Sequence, residues 1–144
     1  SGKEYDHLYT APGAKIVLVS YADEVEDVLN AAKLLGAENI PCDVYKLVKI
    51  FPFTEDLIRE IMRYDVVLMA EECVACGGIG EHLEMALQHA GWNGRYIHTA
   101  VEQLCLPHAT VPQIKQVTGL DAEHLAQAVR ETVQAPEAKG EAKV

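Results

Sequence analysis

The chain has 144 residues, 49% of them hydrophobic, which is enough for one domain with a core and too few for two. Its net charge of −10, from 22 acids against 12 bases with no run of Lys or Arg, argues against nucleic acid and an anionic membrane as partners. No apolar stretch approaches the roughly 20 residues that would span a bilayer.

Four cysteines, Cys42, Cys73, Cys76 and Cys105, sit in a chain able to stabilise itself by burial. They read as reduced thiols of a cytoplasmic protein. The opening Ser1-Gly2 reads as the scar of a cleaved tag on an excised fragment.

Residues 1–14 combine that scar with a possible edge strand, Glu4 to Tyr9, before Pro12-Gly13 breaks the chain. Lys15 to Tyr21 is apolar and β-branched on both faces, as a central strand covered by helices on each side demands. Asp23 stands three residues before Glu26, close to a capping box. Val25, Val28, Leu29, Ala32 and Leu35 then recur at helical spacing up to Gly36.

A second strand is expected over Cys42 to Ile50. Thr54 caps the next helix, Glu55 and Asp56 suit its positive end, and Leu57, Ile58, Ile61 and Met62 form its buried face. The apolar run Val66 to Ala70 reads as a buried strand that stops at Glu71 and Glu72. Beyond Gly77, Gly78 and Gly80, a helix carries Ile79, Leu83, Ala86, Leu87 and Ala90 on one face and stops at Gly91.

Arg95 to Thr99 is a further strand. Ala100 to Ala109 is irregular and expected at the surface, and Val111 to Thr118 suggests a short helix. Asp121 caps a last helix with Ala122, Leu125, Ala126, Val129 and Val133 on its face. Residues 134–144 lack an apolar face and are expected to be disordered. Strands alternating with helices imply a mainly parallel α/β sheet in three layers, with right-handed crossovers. A central Lys15 strand, flanked by the Cys42 and Asp65 strands, places a switch point between Tyr21 and Glu71.

That switch point is where a site would be built, and its chemistry is thin. Gly77-Gly78-Ile79-Gly80 at a helix start could cradle a phosphate, but Glu71, Glu72, Glu81 and Glu84 would repel one, and Leu83 occupies the place of the third small residue of a dinucleotide fingerprint. Cys73 and Cys76 have the spacing of a redox or zinc pair, yet a structural zinc site needs four ligands. Adjacent Glu71 and Glu72 point to opposite sides of a strand, so they do not form an acid and base in one pocket. The expectation is a structural corner, with no catalytic, cofactor or metal residue. Cys73, Cys76 and His108 remain as surface candidates.

Glu71-Glu72, four residues and then Gly77-Gly78-Ile79-Gly80 resemble the Glu-Glu…Gly-Gly-x-Gly motif of the transketolase C-terminal domain family, most closely its 1-deoxy-D-xylulose-5-phosphate synthase branch. Val17-Leu18-Val19-Ser20-Tyr21, Lys49-Ile50-Phe51-Pro52-Phe53, His108-Ala109-Thr110 and Gly119-Leu120-Asp121-Ala122-Glu123 recur in the family's order. The resemblance covers roughly residues 15–133. Glu102-Gln103, Ala109, Cys73 and Cys76 depart from the usual residues, which leaves open a related branch, including the docking domains of 2-oxoacid dehydrogenase enzymes.

The resemblance implies a five-stranded sheet with one antiparallel edge strand. It implies a homodimer in which thiamine diphosphate and Mg are held by domains upstream in the same chain. Those domains condense pyruvate with glyceraldehyde 3-phosphate after decarboxylation, and this fragment alone is inactive. The rival from another class is a free-standing redox or metal module built on Cys73 and Cys76.

Overall fold

The computed structural model describes residues 5–20, 25–48, 53–71, 79–100, 121–135 and 141–143. In chain order these form β1 (Tyr5–Tyr9), β2 (Ile16–Ser20), α1 (Val25–Gly36), β3 (Cys42–Leu47), α2 (Glu55–Ile61), β4 (Val66–Glu71), α3 (Ile79–His89), β5 (Arg95–Ala100), α4 (Ala122–Gln134) and β6 (Glu141–Lys143). One sheet takes them in the order β1-β3-β2-β4-β5-β6. Only β1 is antiparallel to its neighbour.

The two-residue alternation of each strand divides the core into two layers. Ile16 and Leu18 of β2, Cys42 and Val44 of β3, Val66, Leu68 and Ala70 of β4 and Ile97 of β5 face α1 and α4. Val17, Val19, Tyr45, Leu47, Val67, Met69 and Tyr96 face α2 and α3. All five residues of β2 are buried, which makes it the central strand that its apolar sequence predicts.

The steps β2 to β3 and β3 to β4 run in opposite directions across the sheet, so a constant crossover hand puts α1 and α2 on opposite faces. The step β4 to β5 continues in the second direction, and α3 accordingly shares the face of α2.

The capping chemistry matches the sequence at three helix ends. The Thr54 hydroxyl accepts from Leu57 N–H at 3.3 Å, and Asp121 Oδ1 accepts from His124 N–H at 2.9 Å. Gly91, at φ +94°, follows α3 in the left-handed region that glycine enters at little steric cost.

Two expectations need correction. The Cys42 strand ends at Leu47 rather than running on to Ile50, and residues 49–52 lie outside the described set. The stretch 134–144, expected to be disordered, contains the last residue of α4 and a three-residue strand. That strand, β6, pairs in parallel with β5, so the five expected strands are joined by a sixth. Lack of an apolar face predicts lack of core packing, but pairing on an open strand edge uses only backbone N–H and C=O groups. The irregular segment and short helix expected over 100–118 lie outside the described residues, apart from Ala100 at the end of β5.

Candidate functional site at the sheet switch point

The order β3-β2-β4 puts the reversal of winding at the carboxyl ends of β2 and β4, where the sequence places it. There Ser20 pairs with Ala70, Ala70 with Thr99, and Glu71 with Ala100 across the parallel strands. Ser20 and Thr99 are both fully buried. Thr99 Oγ1 donates to the Met69 carbonyl at 3.3 Å, whereas Ser20 Oγ has no hydrogen-bond partner among the described residues.

On the α3 side of the corner, Gly80 is buried and its carbonyl accepts from the Tyr96 hydroxyl at 2.7 Å. This bond ties the first turn of α3 to β5, which needs close approach of helix and sheet. The structure thus describes Glu71 at the end of β4 and Gly80 in α3. Glu72, Cys73, Cys76, Gly77, Gly78 and His108 lie outside the described residues, as do residues 21–24, which follow β2. Among the described residues no group of three or more His, Cys, Asp or Glu side chains is placed to hold a metal ion.

Cys42 is buried at the start of β3, and its Sγ lies 3.5 Å from the Ile40 carbonyl. Burial, with the neighbouring Asp43 carboxylate adding to it, pushes its thiol up to about 12. A thiol held so firmly protonated is a poor nucleophile.

A second polar cluster, absent from the sequence reading, lies at the opposite end of the sheet. Asp43, buried near the start of β3, accepts Tyr64 O–H at 2.5 Å on one oxygen and Ala11 N–H at 2.8 Å on the other. His7 Nε2 stands 3.7 Å from the same carboxylate, and the His7 ring stacks on Tyr45 with centroids 4.4 Å apart. Tyr45 in turn donates to Glu60 at 3.0 Å. Burial and the adjoining acceptors raise the Tyr64 phenol, and burial first among several causes carries Tyr45 to about 12. The cluster fastens the β1 edge and α2 to β3. Its signal in the sequence is an acid, Asp43, set between the apolar Cys42 and Val44 of β3.

Residues 7–125 match the family model described as transketolase, C-terminal domain. The chain belongs to this family. Among curated proteins, the 1-deoxy-D-xylulose-5-phosphate synthase of Thermotoga petrophila is 31% identical over 104 residues, which is 70% of this chain and 17% of that protein. The synthase of Parabacteroides distasonis is 24% identical over 119 residues, 82% of this chain and 19% of that protein. The transketolase C-terminal-like chain described here therefore spans about a fifth of the length of these relatives.

Among solved structures, a split gene transketolase in an inactive beta4 tetramer superposes with a TM-score of 0.78 at 24% identity, over 90% of this chain and 42% of that one. A Pichia stipitis transketolase variant in complex with fructose 6-phosphate gives 0.70 at 16% identity, over 95% of this chain and 19% of that one. Both share the fold, with its mostly parallel sheet and antiparallel β1 edge. No helix among the described residues is long and apolar enough to cross a membrane.

Proposed function

We propose that the chain is the C-terminal domain of a thiamine diphosphate-dependent 1-deoxy-D-xylulose-5-phosphate synthase. The observation that carries this reading is the 31% identity over 104 residues to a relative of that name. In this reading the complete cytoplasmic enzyme joins pyruvate, after decarboxylation, to glyceraldehyde 3-phosphate, at the entry to isoprenoid and thiamine precursors. Domains upstream in the same chain hold thiamine diphosphate and Mg, and the domain described here supports their contacts and the homodimer. It carries no active site of its own.

Within that role, Glu71, Glu72, Gly77, Gly78 and Gly80 form a structural corner, and the Tyr96 bond to the Gly80 carbonyl supports it. Cys73, Cys76 and His108 are surface residues in this reading. The departures at Glu102-Gln103 and Ala109 favour, as a second reading, a related thiamine diphosphate enzyme in which the same domain docks another subunit.

Calorimetric titration of the 144-residue chain with thiamine diphosphate and Mg2+ tests the assignment of the cofactor to other domains. The expected outcome is no binding. Heat of binding at low-micromolar affinity would refute the proposal. Upstream coding sequence carrying a Gly-Asp-Gly motif followed by Asn is the expected companion result, and a start codon directly before Lys3 would leave the family role without its cofactor domains.

A further inference from the structure

The turn that carries α3 into β5 is pinned on either side of two residues that make no hydrogen bonds of their own. Trp92 N–H donates to the Leu87 carbonyl at 3.0 Å and its indole Nε1–H to the Tyr64 carbonyl at 2.8 Å, while Arg95 N–H donates to the Asp65 carbonyl at 2.9 Å. Between them lie Asn93, which is exposed, and Gly94. Neither the Asn93 side chain nor the Gly94 N–H has a hydrogen-bond partner among the described residues. Gly94 has no Cβ to hold its nitrogen away from the preceding side chain.

Asparagine is thermolabile, and its lifetime depends on whether the next backbone nitrogen can reach its side-chain carbonyl carbon. The other asparagines of the chain, Asn30 and Asn39, each lack part of this arrangement. Asn30 lies inside α1, where the N–H of Ala31 belongs to the helical ladder. Asn39 precedes Ile40, whose N–H donates to the Leu35 carbonyl at 2.9 Å and whose side chain is β-branched.

We propose that Asn93 is a site of spontaneous deamidation through a cyclic imide closed by the Gly94 nitrogen. That nitrogen gives up its proton and bonds to Asn93 Cγ, the Cγ–Nδ2 bond breaks, and ammonia leaves with the proton. Water then opens the ring at one of its two carbonyl carbons, with no change of oxidation state. Attack at Cγ gives an ordinary aspartyl link, and attack at the backbone carbonyl carbon gives an isoaspartyl link in which the chain runs through Cβ and Cγ. The isoaspartyl product sets an additional backbone atom between two pinned residues. Little room exists there, since a Cβ on Gly94 would lie 2.3 Å from the Trp92 ring and 2.5 Å from the Asp65 carbonyl oxygen. The isoaspartyl link therefore loosens the joint between α3 and β5 and moves Trp92.

Incubation of the folded 144-residue chain at mildly alkaline pH, followed by peptide mass spectrometry, tests the proposal. The peptide holding Asn93 gains about 1 Da and splits into two species, one of which accepts a methyl group from an isoaspartyl methyltransferase. Asn93 reacts at least about tenfold faster than Asn30 or Asn39, and its rate in the folded chain stays within about tenfold of its rate in urea, because the fold leaves the site open. Trp92 emission moves to the red in step with the isoaspartyl product. Asn93→Gln, whose ring would need one more atom, removes both the mass gain and the emission drift. No mass gain at Asn93, a smaller excess over the other two asparagines, or a larger slowing by the fold overturns the proposal. Emission drift that persists in Asn93→Gln, or isoaspartyl product without drift, overturns its structural consequence.

Discussion

At the scale of single residues, the buried ionisable groups make a sharp statement about pH. The Cys42 thiol is raised from an ordinary 9.0 to about 12 in the folded protein, so as pH climbs past 9.0 the unfolded chain gives up this proton and the folded chain keeps it. Stability from this group is complete below that pH and is lost progressively up to about 12, at no more than about 1.4 kcal/mol per pH unit. Tyr45, raised from 10.0 to about 12, adds a loss of the same sign over the upper part of that window. Urea melts across pH 8 to 11 are expected to show falling stability, and Cys42→Ala to flatten the slope between roughly pH 9 and 10.

Asp43 answers to a different cost. Removing its carboxylate in Asp43→Ala strands the Tyr64 hydroxyl and the Ala11 N–H, the first of them in a buried setting. An orphaned donor costs on the order of 1–3 kcal/mol, so the variant is expected to lose about 2–4 kcal/mol in a chemical denaturation curve. Its β1 amides are expected to exchange fastest, because β1 reaches the body of the sheet only through β3.

At the scale of elements, the run from α3 into β5 is set by one close approach. Trp92 Nε1 donates to the Tyr64 carbonyl at 2.8 Å, and a Cβ placed on Gly94 would lie 2.3 Å from the Trp92 ring and 2.5 Å from the Asp65 carbonyl oxygen. The carbonyl belongs to backbone that cannot swing aside, since Asp65 N–H and carbonyl both bond across the sheet, to Lys15 and Arg95. Gly94→Ala is expected to cost about 1–3 kcal/mol by overpacking. Trp92, the single tryptophan of the chain, reports the shift through a red-shifted emission in the folded variant.

The elements other than β6 were legible because each carries its own local signal. The five apolar residues of β2, the Thr54 and Asp121 caps and the Gly91 stop need no knowledge of distant parts of the chain. The Asp43 cluster was not legible, because the partners of Asp43 lie 21 to 36 positions away from it in a register that periodicity does not set. The same reason hid Arg95, which donates to the carbonyls of Thr132 and Ala135 and so caps the end of α4 from a neighbouring strand. Of the switch-point corner, the sequence identified the place and the strand that leads into it. The packing of Tyr96 beneath Gly80 had to come from the fold.

At the scale of the whole molecule, stability rests in the two apolar layers on the four central strands, and β6 pairs with β5 at one edge. Truncation after Ala135 removes β6 and keeps both layers and α4. The expected outcome is a single cooperative melt with a midpoint lower by no more than about 2–4 °C, the shift that roughly 1 kcal/mol produces in a domain near this size. Loss of cooperativity would show that the last strand organises the fold instead of trimming it.

The sheet order also schedules how the molecule comes together. β2, β3, β4 and β5 follow one another in the chain and sit side by side, while the edges are closed by the first strand and the last. During synthesis and refolding the four inner strands can assemble before β6 exists or β1 has docked, with the intervening helices shortening the loops that must close. Such an intermediate bares the edge of β3, whose Cys42–Leu47 run is almost wholly buried in the finished protein. The bulge between His7 and Tyr9 bends the strand that later covers it. Aggregation of this protein is therefore a hazard of the interval before β1 arrives, and a chaperone or a faster β1 closure relieves it without altering the native state.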